Sequence, residues 1–272
     1  MKRLFIWGGI ALVCFLIWRK AARPVTQITG RAMGCDWKLI CSEALEDPRA
    51  TRAEIARVLE HWEQVMSTWR RDSDLSRYNR GEPATADLVR VLELAEQMRM
   101  VTGGAFDHRM LAELGAAGFG PGGTGVDLSS LGKGFAVDRV AEVLRRRGIR
   151  RYAFSLAGEV RVGEGTWPVG IELPEPGART VVETIELTNL AMASSGNARQ
   201  WNGREGGLLK GHILDPATRK PVLRPPCSVT VIGQEAAVAS AWATALFVLG
   251  PSGNACAEAR GLRVIWHGLP SL

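Results

Sequence analysis

The sequence predicts an α+β fold, with antiparallel sheets packed against helices in one body over residues 24–272. Three observations predict it. Apolar residues at helical spacing dominate the first half of the chain, and short period-two runs dominate the second. The two patterns do not alternate regularly, as a doubly wound parallel sheet would require. The composition, 46% hydrophobic and 23% charged over 272 residues, is enough for a large core. There are no internal repeats and no low-complexity segments.

The first element is a hydrophobic helix ahead of the body, within residues 1–23. Met1-Lys2-Arg3 precedes an uncharged apolar run, Leu4 to Trp18. That run is slightly short for a spanning helix and suits a signal sequence. No Ala-x-Ala cleavage site follows cleanly; the next residues are Arg19-Lys20-Ala21-Ala22-Arg23. The reading is an uncleaved signal-anchor, with a cleaved signal peptide as the alternative. Either way the body is expected to be exported, on the periplasmic face of the inner membrane of a bacterial envelope.

Residues 24–32 read as a linker, and Trp37 to Cys41 as a first strand. Thr51 to Glu54 reads as a capping box, opening a helix with Ile55, Val58, Leu59, Trp62, Val65, Met66 and Trp69 on one face. A second helix spans about Thr85 to Met100 and is stopped by Gly103-Gly104. A third opens near Gly132 and runs to Arg147, with Gly148 as its cap. Strands are expected at Tyr152 to Leu156, Val160 to Val162, Trp167 to Leu173, Val181 to Leu187 and Ser228 to Ile232. An apolar helix covers Ala236 to Leu249 before Gly250-Pro251. A short helix and a last strand, Leu262 to Trp266, finish the chain.

Charge and cysteine content narrow the function. The net charge of +6 lies in short clusters such as Arg145-Arg146-Arg147, with no interleaved aromatic-basic motif, so no nucleic-acid partner is expected. The five cysteines are odd in number and lack Cys-x-x-Cys spacing, which argues against a disulfide framework or a zinc site. The chemistry concentrates instead in Gly125 to Asp138, where Asp127, Lys133 and Asp138 surround glycines. Backbone there can approach an anionic ligand, and a helix opening adds a favourable dipole. His212 is the candidate general base, because imidazole titrates near neutral pH. The plainer roles are a helix N-cap for Asp127 and a back-bonded core hydroxyl for Thr244.

Seven segments in order resemble the ApbE family, the FAD:protein FMN transferases. They are Met33-Gly34; Met66 to Trp69 with Ser73 to Asn79; Thr102 to Asp107; Asp127 to Asp138; Ser194 to Gly196; His212 to Pro216; and Ala241 to Leu246. The resemblance implies a T-fold-like body. It implies that FAD is bound with a divalent metal, usually Mg2+, on its pyrophosphate. FMN then passes to a Thr or Ser hydroxyl of a target flavoprotein, a subunit of a redox complex, and AMP leaves. Met33, Ala105, Phe106, Asp107, Asp127, Lys133 and Ile213 would line the FAD site. Thr244 would bind metal through its hydroxyl, with backbone oxygen from Ser130 to Gly132. The family's metal-binding aspartate falls on Ser240.

Other departures from the family pattern are Ala157-Gly158-Glu159 in place of Gly-Gly-Asp, Arg219 in place of glycine, and Gly211 in place of a common serine. His108 and Arg109 stand where small residues or proline are usual. The alternatives that these raise are an FAD carrier without turnover and a metal-dependent FAD pyrophosphatase.

Overall fold

The computed structural model describes residues 25–177 and 180–269. The expected hydrophobic segment at 1–23 lies outside the described residues. Among the described residues, no helix is long and apolar enough to cross a membrane.

The body opens with a hairpin, β1 (Thr26–Ala32) and β2 (Cys35–Cys41), turning through Met33-Gly34. Both turn residues have positive φ, 52° and 71°. This is the two-residue geometry whose twist matches the flanking strands. The linker expected over 24–32 is thus an edge strand. Only Ile28 is buried in it, so it carries little period-two signal.

Helix α1 (Pro48–Met66) starts a turn earlier than expected. Asp47 caps it by accepting from the Ala50 amide at 2.8 Å, and Pro48 takes the first turn, where no N–H is needed. Thr51 is therefore inside the helix, donating back to the Asp47 carbonyl at 2.9 Å. The expected face is buried from Ile55 to Met66, but the helix stops there. Trp69 leaves the stripe and is 70% exposed.

Short α2 (Asp74–Tyr78) leads to α3 (Ala86–Val101), whose cap is Thr85. Short α4 (Leu111–Ala116) precedes α5 (Ser129–Arg146), which begins one turn before Gly132. Then come β3 (Tyr152–Leu156), β4 (Glu159–Val162), β5 (Trp167–Glu172), β6 (Val181–Leu187) and β7 (Ala191–Gly196). They are followed by β8 (Trp201–Glu205), β9 (Leu208–Asp215), β10 (Lys220–Arg224) and β11 (Ser228–Gly233). Helix α6 (Ala236–Leu249), α7 (Asn254–Glu258) and β12 (Arg263–His267) complete the fold.

The main sheet has the order β1-β2-β3-β4-β7-β11-β12, with every pairing antiparallel. Helices α1, α5 and α6 pack against it. The β5–β6 hairpin builds a second core with Val162, Met192 and Ile232 of the main sheet. A three-stranded sheet, β10-β9-β8, stands beside α6. Strand β11 is buried at every position, as a strand covered on both faces must be.

Helix α6 is apolar all round, the pattern of a helix enclosed by other elements. It packs close to α5 because Gly134 has no side chain; a Cβ there would lie 2.4 Å from the Ala236 carbonyl oxygen. Its own N-cap, Glu235, makes no side-chain cap bond. Asp138 of α5 does that work instead, accepting from the Ala236 and Ala237 amides at 3.0 Å each. Arg161 of β4 pairs with Asp138 at 2.9 Å. Asp138 is therefore a cap between helices and not part of the anion-binding stretch.

Candidate active site

A cleft of about 1020 Å³ opens where the three sheets and the N-terminal end of α5 converge. Of the residues singled out in the sequence, Met33, Ala105, Asp107, Asp127, Lys133, His212 and Ile213 line it, as do Ser130, Gly132, Ser240 and Thr244. They arrive from places 211 positions apart in the chain, Met33 to Thr244. Phe106 is the exception: it is 1% exposed and packs into the core, not the wall. Ala105 is also buried in that core, but it borders the cleft as well. His108 also turns away, into a neighbouring pocket with Glu96 and Met100.

One wall is the turn of the first hairpin. The Met33 amide donates to Glu63 Oε2 at 2.9 Å, and Glu63 also meets Arg70 at 3.1 Å. The opening of α5 forms the floor. Asp127 Oδ1 accepts from the Ser129 amide at 2.9 Å and from the Ser129 hydroxyl. Its Oδ2 accepts from Thr68 Oγ1 at 3.3 Å. Asp127 is not the helix N-cap, which is Leu128 and makes no side-chain cap bond; it stands one residue earlier, accepts from the first amide of α5 and also faces the cleft. Lys133, one turn on, reaches no acceptor closer than the Ser129 carbonyl, at 3.5 Å, and its ammonium is available to an anionic ligand.

Asp107 is committed to Arg109, which donates to it from Nε at 2.9 Å and from Nη2 at 2.7 Å. Burial pushes the Asp107 carboxyl up, but the Arg109 hydrogen bonds and charge outweigh it and hold it below the ordinary value.

His212 is half-buried on β9, edge-on to Phe119 at 6.2 Å. Its Nδ1 faces the Gln200 carbonyl at 3.4 Å. With the proton on Nδ1, Nε2 is left as the acceptor. Enclosure above all, opposed by the Gln200 contact and aided by Lys133, brings its pKa down to about 4. Because the folded value lies below the unfolded one, this group favours the fold above about pH 6.5 and loses that contribution as pH falls towards 4. A reaction that used His212 as its base would show the acid limb of kcat/KM near pH 4. An acid limb that stays in place when His212 is replaced would show that another group titrates.

The last wall carries oxygens. Ser240 Oγ donates to the Ser130 carbonyl at 3.0 Å and lies 3.4 Å from Glu159 Oε1. Thr244, one turn further along α6, shares a 3.3 Å contact with Ser195 Oγ. Glu159 is 6% exposed, and its Oε2 meets no hydrogen-bond partner among the described residues. A buried carboxyl left in this state is costly, by several kcal/mol when ionised. The tight turn from β3 into β4 aims it here: Leu156 pairs with Glu159, and Ala157 between them holds φ 53°. Arg219 likewise sits at φ 57°, with its side chain on Glu113. At both positions a side chain occupies a left-handed conformation that glycine takes freely.

Sequence reasoning passed over Glu63, Ser195 and Glu159 as site residues. Ser195 lay within a quoted motif, and Glu159 was noted only as a departure. For Glu63, the signal was its place one turn before the end of α1, facing the Met33 turn.

A deep cleft rimmed by a helix start, a lysine with only a long contact to the Ser129 carbonyl, hydroxyls and two buried carboxyls, Asp127 and Glu159, defines a binder of phosphate-bearing ligands on an antiparallel α+β frame. The chain belongs to the ApbE family, whose model matches residues 33–125 and 121–266. It is 31% identical to an FAD:protein FMN transferase of Vibrio cholerae, over 94% of this chain and 92% of that one. It is 30% identical to the FAD:protein FMN transferase of Haemophilus influenzae, over 92% and 88%. Among solved structures it resembles the flavin transferase ApbE from Vibrio cholerae, with TM-score 0.77 and 30% identity over 89% of this chain and 94% of that one. It also resembles the apo flavinyl transferase ApbE of Pseudomonas stutzeri, with TM-score 0.76 and 26% identity over 89% and 90%.

Proposed function

We propose that this protein transfers the FMN half of FAD to a Thr or Ser hydroxyl of a target flavoprotein, with release of AMP. The observation that carries the reading is the meeting of Asp127, Lys133, His212 and Thr244 on one cleft. In this reading, Lys133, with the favourable dipole of the α5 start behind it, holds pyrophosphate oxygens, where charge accumulates as the bond to the leaving phosphate breaks. His212 Nε2 accepts the proton of the attacking hydroxyl, which is otherwise a poor nucleophile. The Met33 turn and Asp127 orient the ligand against this machinery.

The donors here are oxygens: the Ser130 carbonyl, the hydroxyls of Ser240 and Thr244, and a buried carboxyl oxygen lacking a donor. They suit a hard divalent cation such as Mg2+. Ser130, Gly132, Ser240 and Thr244 are the residues of the expected set that would hold it. When bound, it would neutralise charge on the pyrophosphate. Among the described residues, no group of three or more His, Cys, Asp or Glu gathers as a metal cluster, so phosphate oxygens would have to complete the shell.

The proposed setting is the periplasmic face of the inner membrane, with residues 1–23 as tether and a redox-complex subunit as target. The apolar run Leu4 to Trp18 supports the tether.

The test incubates the full chain with FAD, Mg2+ and a threonine-bearing acceptor peptide. Fluorescent flavin on the peptide, with AMP in solution, is the expected result. FMN and AMP without a labelled peptide would mean a pyrophosphatase. FAD bound but unchanged would mean a carrier.

A further inference from the structure

We propose that Glu159 is the anionic ligand of a divalent cation in this cleft, doing from a strand what Ser240 on the facing helix cannot do with a neutral hydroxyl. The inference rests on the flavin-transfer reading and specifies its metal site.

Glu159 is 6% exposed and lines the cleft, and its Oε2 has no hydrogen-bond partner among the described residues. Its Oε1 is hardly better served. Ser240 has a single hydroxyl proton, which goes to the Ser130 carbonyl at 3.0 Å in preference to Oε1 at 3.4 Å. A carboxyl so enclosed needs a positive partner, and a bound cation is one that the cleft admits. The neighbouring atoms suit that partner. The Ser130 carbonyl, Ser240 Oγ and, one helical turn away, Thr244 Oγ1 are all oxygen donors. A carboxyl beside hydroxyl and carbonyl oxygens favours magnesium or manganese over softer metals, and the Cys35 thiol in the same cleft is pushed above its ordinary pKa chiefly by burial and stays a poor ligand.

The Ala157-Gly158 turn makes the arrangement specific. It holds Ala157 at φ 53° and fixes the first residue of β4 opposite Leu156, which sets the Glu159 side chain against α6. The charge of the site is thereby delivered by β4, and Ser240 is left to position the Ser130 carbonyl.

Manganese is the probe, because its free aquo ion gives an electron paramagnetic resonance signal that binding removes. The full chain is titrated with Mn2+ in the presence of FAD, while flavin fluorescence reports FAD retention separately. Glu159→Gln should weaken Mn2+ binding by more than the roughly 100-fold that bounds outer-shell changes, with FAD affinity measured in the absence of divalent metal within about 2-fold. Moving the carboxyl across the contact, as Glu159→Gln with Ser240→Asp, should recover most of the Mn2+ affinity. This double variant keeps the test decisive if the single one folds poorly. Unchanged Mn2+ affinity in Glu159→Gln overturns the proposal and leaves the transfer reading standing. A double variant that folds and retains FAD but recovers no Mn2+ binding also overturns it. A wild-type chain that retains FAD and takes up no Mn2+ does the same. A wild-type chain that retains neither removes the transfer reading itself, and this inference with it.

Discussion

Replacing His212 with alanine is expected to slow flavin transfer by roughly 10²- to 10⁴-fold, the range that a positioned general base contributes. FAD retention should change little. The imidazole is half-buried at the cleft wall, while the groups disposed to hold pyrophosphate, Lys133 and the first turn of α5, lie on another element. Single-turnover labelling of the acceptor separates the two, since it reads chemistry apart from binding. A variant that labels its acceptor at the wild-type rate would remove His212 from the mechanism. A variant that loses FAD and rate together would recast it as a wall of the binding site.

The largest expected effect on stability comes from Asp138→Ala. Removing this carboxylate deprives the Ala236 and Ala237 amides of their acceptor and leaves Arg161, only 17% exposed at its side chain, without its partner. Breaking one side of a buried pair costs about 3–5 kcal/mol. Helix α6 has no side-chain cap of its own to fall back on. Denaturant unfolding should therefore show a clear fall in midpoint at unchanged slope. Asp138→Asn should be milder, because it keeps an acceptor for one amide. A loss below about 1 kcal/mol would mean that solvent or Gln234 satisfies these amides when Asp138 is gone.

Much of this architecture was legible in the sequence, for identifiable reasons. Helix α6 reads clearly because a long apolar run ends at Gly250-Pro251. Helix α3 reads clearly because Thr85 caps it and a glycine pair ends it. The start of α1 was misread because Thr51 and Glu54 mimic a capping box, while the operative signal was Asp47-Pro48. Strands β7 to β10 gave little period-two signal. Strand β7 is built of small residues, β8 is largely exposed, and β9 carries a lysine, a glycine and a histidine. Strand β7 pairs with distant strands, β4 and β11, whereas β8, β9 and β10 pair with their sequence neighbours through irregular registers that blur the alternation.

The candidate site divides in the same way. Asp127, Lys133, His212 and Thr244 stood out because ordered motifs carried them. Glu159 did not, because a glutamate after Ala-Gly looks like a surface turn until the fold encloses it. Phe106 was assigned to the wall because a motif names neighbouring residues together, whereas the fold buries its ring in the core.

The cleft takes Met33 from the first hairpin and Ser240 and Thr244 from α6, with β11 buried between β7 and β12. The cleft is therefore complete only when α6 has docked on the sheet, so assembly of the site and closure of the core are a single event.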